Sequence, residues 1–218
     1  MVRTVRIAFL TIGAAALLAS APVAADAGLV GRYRVAEGPD VAGELLIAAD
    51  GRFAYVLAAG ALDERANGTW TREGGGVCLT TRPQPVPPTF RRLARSGEQP
   101  GGPTVLVTWP DGRGIAGVDV RVGFDAGDPL DEYTQEDGWS LPPGERRSPR
   151  WIELREPIQG FASPRFELTA KEAGTLRVVL EPNDLGVVDF RGACLEPVGK
   201  GFVLRRGEGT MRFVRAED

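Results

Sequence analysis

Short runs of alternating apolar and polar residues recur along the chain and are separated by turn-forming residues. In the run from Arg52 to Ala59, Phe53, Tyr55 and Leu57 fall on one face, and the preceding Asp50-Gly51 is typical of a hairpin turn. No long stretch has the spacing of apolar residues that an amphipathic helix requires. The pattern therefore predicts an all-β protein that contains an antiparallel meander.

Two groups of predicted strands flank a central segment of different character. A single barrel or sandwich, split by an insertion, accounts for both groups of strands. Such an insertion is physically plausible, because a domain inserted at a surface loop is well tolerated when its two ends lie close together. We therefore predict a discontinuous barrel-like domain formed by residues 28–97 and 184–218, with a small β-sandwich at 104–182 inserted into it. The predicted flanking strands are 31–36, 43–49, 52–59, 67–72, 77–81 and 89–95, with a loose turn over 60–66, followed by 187–195, 201–206 and 210–215.

The segments that join these groups are rich in proline and glycine. Residues 82–88, RPQPVPP, are predicted to form a stiff connector or a sheet edge, because proline cannot donate to a β-ladder. Residues 96–103, SGEQPGGP, have the composition of a linker. After this linker, Val105 to Trp109 and Val118 to Val122 alternate on either side of Asp111-Gly112, which predicts a β-hairpin.

Two motifs in the central segment carry a family resemblance. The stretch from Gly112 to Val120 follows the pattern G-x-x-(I/V)-x-G-(V/A)-x-V, and Thr134-Gln135-Glu136-Asp137-Gly138-Trp139 resembles T-(D/N)-x-x-G-(aromatic). Together they resemble the two ends of a carboxypeptidase regulatory-like, or transthyretin-like, module. The resemblance covers about residues 104–182 and implies a small, non-catalytic β-sandwich.

The flanking meander has a weaker resemblance to lipocalin-like small barrels. Gly31-Arg32-Tyr33 and Gly68-Thr69-Trp70 are similar to the G-x-(W/Y) sequence that opens a strand in those barrels. If the barrel is hollow, Tyr33, Tyr55 and Trp70 are candidates to line its mouth and bind a small ligand. The alternative is that these aromatic side chains simply fill the core.

The first 27 residues have the organisation of a secretory signal peptide. Arg3 and Arg6 precede an apolar run from Ile7 to Leu18, and small residues follow up to a cleavage position after Ala25 or Ala27. The apolar run is shorter than the roughly 20 residues that span a bilayer. We expect cleavage of residues 1–27, a periplasmic or secreted location, and no stable membrane insertion afterwards.

The charge and the histidine content limit the classes of function that the protein can have. Without residues 1–27 the chain has 24 basic and 28 acidic residues, a net charge near −4, so nucleic acid is not an expected partner. The sequence contains no histidine. This excludes Ser-His-Asp and Cys-His nucleophile systems as well as histidine-ligated metals. We therefore expect a protein that is not an enzyme, with no catalytic residues, no metal site and no cofactor.

Cys78 and Cys194 are the two cysteines of the chain. In an oxidising exported compartment they form a disulfide most simply, although two buried free thiols are the alternative. If the central module is inserted into one discontinuous domain, the two cysteines belong to the same domain. We then predict that they lie on facing or adjacent strands.

Two clusters of charged residues are weaker candidates for binding sites. Arg91 and Arg92, on the predicted strand at 89–95, can hold an anionic ligand or can protect a sheet edge from aggregation. The acidic cluster does not follow the calcium-binding EF-hand pattern, and we interpret it as a solvated loop between two strands. Its members are Asp125, Asp128, Asp131, Glu132, Glu136 and Asp137.

Two functions agree with these observations. The first is an exported, non-enzymatic β protein that acts as an interaction or structural module of the cell envelope, with an envelope protein as its partner. The second is a small-ligand carrier that uses a cavity in the barrel. An unfilled apolar cavity favours the carrier, and filled interiors in both domains favour the interaction module.

Overall fold

The computed structural model describes residues 28–36, 38–93, 104–169, 174–207 and 209–217. In these residues the regular secondary structure consists of β-strands alone. The predicted all-β fold is confirmed. The predicted signal peptide (1–27) and linker (96–103) lie outside the described residues. The strands are β1 (Gly31–Val35), β2 (Val41–Ile47), β3 (Arg52–Ala59), β4 (Leu62–Glu73), β5 (Gly76–Thr81), β6 (Thr89–Arg92), β7 (Val105–Thr108), β8 (Asp119–Phe124), β9 (Leu130–Tyr133), β10 (Pro149–Glu156), β11 (Phe161–Ala162), β12 (Phe166–Glu167), β13 (Leu176–Glu181), β14 (Arg191–Val198), β15 (Gly201–Arg206) and β16 (Gly209–Arg215).

The strands β1 to β5 and β14 to β16 close into an eight-stranded antiparallel barrel. Each strand pairs with the next strand of the barrel along the chain, and β16 returns to β1, with Arg215 opposite Tyr33. The chain leaves the barrel after β5 and re-enters it at β14, which pairs with β5. The barrel is therefore an up-and-down meander that is interrupted once.

Cys78 and Cys194 join the two halves of this barrel. They are direct cross-strand partners on β5 and β14, their Cα atoms are 3.9 Å apart, and their sulfur atoms form a disulfide. The bond therefore ties the strand before the insertion to the strand after it.

The two ends of the barrel differ. At one end, which we call the closed end, lie the hairpin turns 48–51, 74–75 and 199–200, the beginning of β1 and the end of β16. At the other end, which we call the insertion end, lie the 60–61 turn, the turn after Arg206, and the exit and return of the inserted segment.

Most of the barrel interior is filled with side chains. Inward-facing residues of all the strands form one buried cluster, and Phe190 reaches into it from the segment that precedes β14. The Phe190 ring lies 5.9 Å from Phe53 and 5.3 Å from Tyr55 between ring centres. The cluster comprises Tyr33, Leu45, Ile47, Phe53, Tyr55, Leu57, Ala66, Trp70, Val77, Leu79, Phe190, Leu195, Phe202, Leu204 and Phe213.

The inserted segment forms two sheets that pack on a second core. One sheet has the order β11-β10-β8-β9, with β12 also paired to β10, and the other has the order β6-β13-β7. In the second sheet β13 runs antiparallel to β6 but parallel to β7. The core between the sheets is filled by buried aliphatic and aromatic residues, including Val107, Val120, Ile152, Leu154 and Leu180.

Three details of the sequence prediction are wrong. Residues 105–109 and 118–122 do not form a hairpin, because β7 and β8 belong to different sheets. Thr89–Arg92, predicted within the barrel domain, instead pairs with β13 of the sandwich. The predicted loose turn over 60–66 is mostly strand, because β4 already begins at Leu62.

Two connecting segments, 82–88 and 182–190, lie side by side between barrel and sandwich. The Val86 amide donates to Asp184 Oδ2 at 2.8 Å, the Asp184 amide donates to the Val86 carbonyl at 3.1 Å, and Asn183 Nδ2 donates to the Pro87 carbonyl at 2.9 Å. The second connector is also bonded to the barrel, since Thr81 Oγ1 donates to the Val188 carbonyl at 2.7 Å. These bonds fasten the sandwich to the barrel.

Candidate functional site

Three polar side chains meet inside the barrel near its insertion end. The Tyr55 hydroxyl donates to Glu64 Oε2 at 2.9 Å. Arg206 binds the same carboxylate with two nitrogens, Nη1 to Oε2 at 2.7 Å and Nη2 to Oε1 at 2.8 Å. Each of the two carboxylate oxygens of Glu64 therefore accepts a charged hydrogen bond.

Strand alternation explains why these residues meet. Side chains two residues apart share a face, so Glu64 points into the lumen with Ala66, and Arg206 points inward with Leu204. Two strands, β5 and β14, separate β4 from β15 in the barrel wall. The ion pair therefore crosses the lumen instead of joining neighbours along the wall.

Burial and charge together set the ionisation of this group. Burial favours the neutral acid, but the hydrogen bonds and charge of Arg206, with the Tyr55 hydroxyl, hold the pKa of Glu64 below its ordinary value. Burial and the neighbouring Glu64 carboxylate raise the pKa of Tyr55 well above its ordinary value. Glu64 is therefore an ionised carboxylate with its oxygens occupied, which makes it a weak proton acceptor.

A depression of about 240 Å³ opens beside the ion pair. Its walls include the apolar side chains of Leu57, Leu62, Leu204 and Met211, and Glu64 and Arg206 supply its charged groups. We call this depression the mouth. The Glu64 side chain is 8% exposed and that of Arg206 is 43% exposed, so the arginine is the more accessible charge.

The inserted segment contacts the strand that forms one side of the mouth. Gln159 Nε2 donates to the Asp63 carbonyl at 3.2 Å, and the Arg65 amide donates to the Gly186 carbonyl at 2.8 Å. Asp63 and Arg65 are the chain neighbours of Glu64. The sandwich and its return connector therefore hold β4 in place at the mouth.

None of the three aromatic residues predicted to line the mouth is in its wall, although the Tyr55 hydroxyl reaches the Glu64 carboxylate. Tyr33 is buried at the closed end and its hydroxyl donates to the Leu29 carbonyl at 2.8 Å. Trp70 is also buried there, and its Nε1 donates to the Ala48 carbonyl at 2.8 Å. Both side chains fill the core, and both have satisfied polar atoms.

Arg91 and Arg92 lie on β6 of the sandwich, away from the barrel lumen. Arg91 forms an ion pair with Glu181 of β13 at 2.6 Å, and Arg92 Nη1 donates to the Glu167 carbonyl at 2.9 Å. Both arginines therefore have partners within the sandwich.

Glu64 and Arg206 are not among the site residues predicted from the sequence. Residues 60–66 were predicted to form a loose turn, which hid the inward position of Glu64. The signal was nevertheless present, since the alternation that contains Trp70 extends back through Gly68, Ala66 and Glu64 to Leu62. A charged residue at an inward position of an extended alternation indicates a polar group inside the barrel.

The two motifs of the central segment meet in space. Thr134 is fully buried, its Oγ1 donates to the Ile115 carbonyl at 2.6 Å, and the same oxygen accepts from the Val118 amide at 3.1 Å. Trp139 exchanges backbone hydrogen bonds with Val105 of β7. The motif residues thereby link the two sheets of the sandwich.

No known protein family, curated protein or solved structure matches this chain. Among the described residues, one cluster gathers three side chains of metal-ligating type, namely Glu73, Cys78 and Cys194. Its two sulfur atoms are bonded to each other, so they cannot act as thiolate ligands.

The described residues also contain no helix that is long and apolar enough to cross a membrane.

Proposed function

We propose that this protein is an exported, non-enzymatic β protein whose barrel presents the inserted sandwich as an interaction module of the cell envelope. The observation that carries the proposal is the filled interior of the barrel. The ring of Tyr55 packs against those of Phe190 and Phe213 in the lumen, with ring centres 5.3 and 6.4 Å apart. A barrel of this kind acts as a scaffold, because a carrier needs an open interior.

The two connectors support the same proposal. They are hydrogen-bonded to each other and to the barrel, so the sandwich is presented in one orientation instead of hanging from a loose linker. The resemblance of residues 104–182 to carboxypeptidase regulatory-like modules also favours a non-catalytic role. The signal-like sequence of residues 1–27 favours action outside the cytoplasm.

Site-specific photo-crosslinking in the full-length, exported protein tests this proposal. The label replaces Tyr133, an exposed residue on the outer face of the sandwich, or Val198, an exposed residue at the closed end of the barrel. We expect one adduct of constant mass from the Tyr133 position, which excess unlabelled protein suppresses. Adducts of equal yield from both positions, or none from the sandwich, would contradict the proposal.

A further inference from the structure

The mouth combines apolar walls with an internally neutralised pair of charges. The buried Leu57 and Leu204 and the partly buried Leu62 and Met211 offer an apolar surface. Removing such surface from water favours the binding of an apolar group. The mouth is small, and the barrel interior is filled by buried side chains such as Tyr55 and Phe190, so a ligand has no open space deeper in the barrel.

The polar side of the mouth favours a hydrogen-bond acceptor. A guanidinium carries five N–H donors, and the two bonds to Glu64 use two of them. Arg206 is also the more exposed member of the pair, so further N–H groups are available to a bound molecule. A carbonyl or ester oxygen on the ligand would accept a hydrogen bond from one of these N–H groups.

The charge balance of the mouth disfavours an anionic ligand. Glu64 already neutralises Arg206 with two hydrogen bonds, and it is almost fully buried. A ligand carboxylate would have to compete with Glu64 for the guanidinium, or lie close to it as a second negative charge in a poorly solvated site. Like charges brought together in this way cost binding free energy.

We propose that the mouth binds a small, uncharged, mainly apolar molecule that presents one carbonyl or ester acceptor to Arg206. Leu57, Leu62, Leu204 and Met211 contact the apolar part, and Glu64 excludes the corresponding carboxylic acid by occupying the guanidinium. This site is separate from the interaction role of the sandwich and does not depend on it.

Methyl hexanoate and hexanoate are suitable probes, because they share an alkyl chain and differ in charge. Each is titrated into the full chain at neutral pH while the methyl groups of Met211, Leu57 and Leu204 are followed by NMR. We expect saturable shifts at these methyl groups with methyl hexanoate and at least about tenfold weaker binding of hexanoate. The exposed methyl groups of Leu46 and Val56, on the outside of the barrel, serve as the internal control.

The Glu64→Gln variant makes the test specific to charge. It keeps the shape of the side chain but leaves Arg206 without its counter-charge, so the preference should reverse and hexanoate should bind more tightly than the ester. An unchanged amide spectrum away from the mouth establishes that the variant is folded. The proposal is overturned if methyl hexanoate gives no saturable shift at the mouth up to its solubility limit, if Leu46 and Val56 shift equally, or if the preference does not change in Glu64→Gln.

Discussion

The guanidinium of Arg215 lies over the ring of Tyr33 at the closed end of the barrel, with its central carbon 5.6 Å from the ring centre. The same guanidinium donates to the carbonyls of Gly28 at 3.1 Å and Val30 at 2.6 Å. Gly31 allows this approach, because a Cβ atom there would lie 2.8 Å from Arg215 Nη2. The last strand thus fixes the chain segment that leads into the first strand.

Arg215→Met is therefore expected to loosen the closed end. The substitution keeps an apolar stem over Tyr33 but removes the hydrogen bonds to the backbone, at a cost of about 1 to 3 kcal/mol of unfolding free energy. Urea unfolding measures this loss, and amide exchange should accelerate at Leu29 and Val30. Arg205→Met is the matched control, because Arg205 is exposed and its ion pair with Glu196 is 3.5 Å long. Equal losses of unfolding free energy in the two variants would show that the contacts of Arg215 stabilise the barrel no more than an exposed ion pair does.

Removal of the disulfide should destabilise the barrel at the point where it is interrupted. Cys78 and Cys194 close a loop with a sequence separation of 116 residues, and the chain-entropy argument gives an upper estimate of about 4 to 5 kcal/mol for such a loop. We expect the Cys78→Ala/Cys194→Ala variant to unfold at a lower urea concentration than the oxidised protein. A reductant should shift the wild-type midpoint in the same direction and leave the variant unchanged. A wild-type midpoint that does not respond to reductant contradicts the prediction.

The sequence predicted local strands better than it predicted their partners. Phe53, Tyr55 and Leu57 alternate so regularly that β3 has the predicted bounds, because alternation of burial is a local property of a strand. The partner of β7 was missed, since nothing near Val105 encodes its parallel pairing with Leu176, far along the chain. The chain passes through the other sheet, from β8 to β12, before β13 pairs with β7, and short-range turn signals such as Asp111-Gly112 do not report such a path.

The candidate site was not predicted either, because it too depends on contacts between residues that are far apart in the sequence. Tyr33, Tyr55 and Trp70 were predicted to line the mouth of a hollow barrel, but their rings are buried in its core. Glu64 and Arg206 are ordinary charged residues on two distant strands, and only closure of the barrel makes them partners. A cross-lumen pair cannot be read from spacing along the chain, although each inward position can be inferred from alternation.

Gly123 on β8 leaves room for a large aromatic side chain from the neighbouring strand. It is the cross-strand partner of Trp151, and a Cβ atom at position 123 would lie 1.9 Å from the Trp151 ring. Arg165 covers the ring, with its central guanidinium carbon 3.9 Å from the ring centre, and is itself paired with Glu153 at 2.9 Å. An added methyl group must therefore displace the whole stack.

Gly123→Ala is expected to lower the unfolding free energy by about 1 to 3 kcal/mol, the usual cost of overpacking. The indole N–H signal of Trp151 in the NMR spectrum should shift with it, because the ring loses its position between Gly123 and Arg165. Gly38→Ala is a suitable control, since among the described residues, its chain neighbours aside, no atom lies within 4 Å of its added Cβ and its backbone has no left-handed φ. Retention of wild-type stability in Gly123→Ala would mean that the ring moves aside without cost.

The ion pair between Glu64 and Arg206 predicts how stability depends on pH. The pKa of Glu64 in the folded protein lies below its ordinary value of 4.5, so folding favours the ionised form. A group of this kind contributes stability that is fully present above its unfolded pKa and is lost as the pH falls through its folded pKa. The stabilisation by Glu64 should therefore be complete at neutral pH and should diminish below about pH 4.5.

Glu64→Gln tests this sign directly. At neutral pH the variant should be less stable than the wild type by about 1 to 3 kcal/mol, because a neutral amide replaces a carboxylate that accepts charged hydrogen bonds. As the pH is lowered from 7 to about 3, the difference between the two urea-unfolding free energies should shrink, because protonation removes the same charge from the wild type. Glu44→Gln is the control, since Glu44 and its partner Arg32 are both more than half exposed and should contribute little at any pH. A difference between wild type and Glu64→Gln that stays constant or grows as the pH falls would show that the carboxylate charge does not stabilise the barrel.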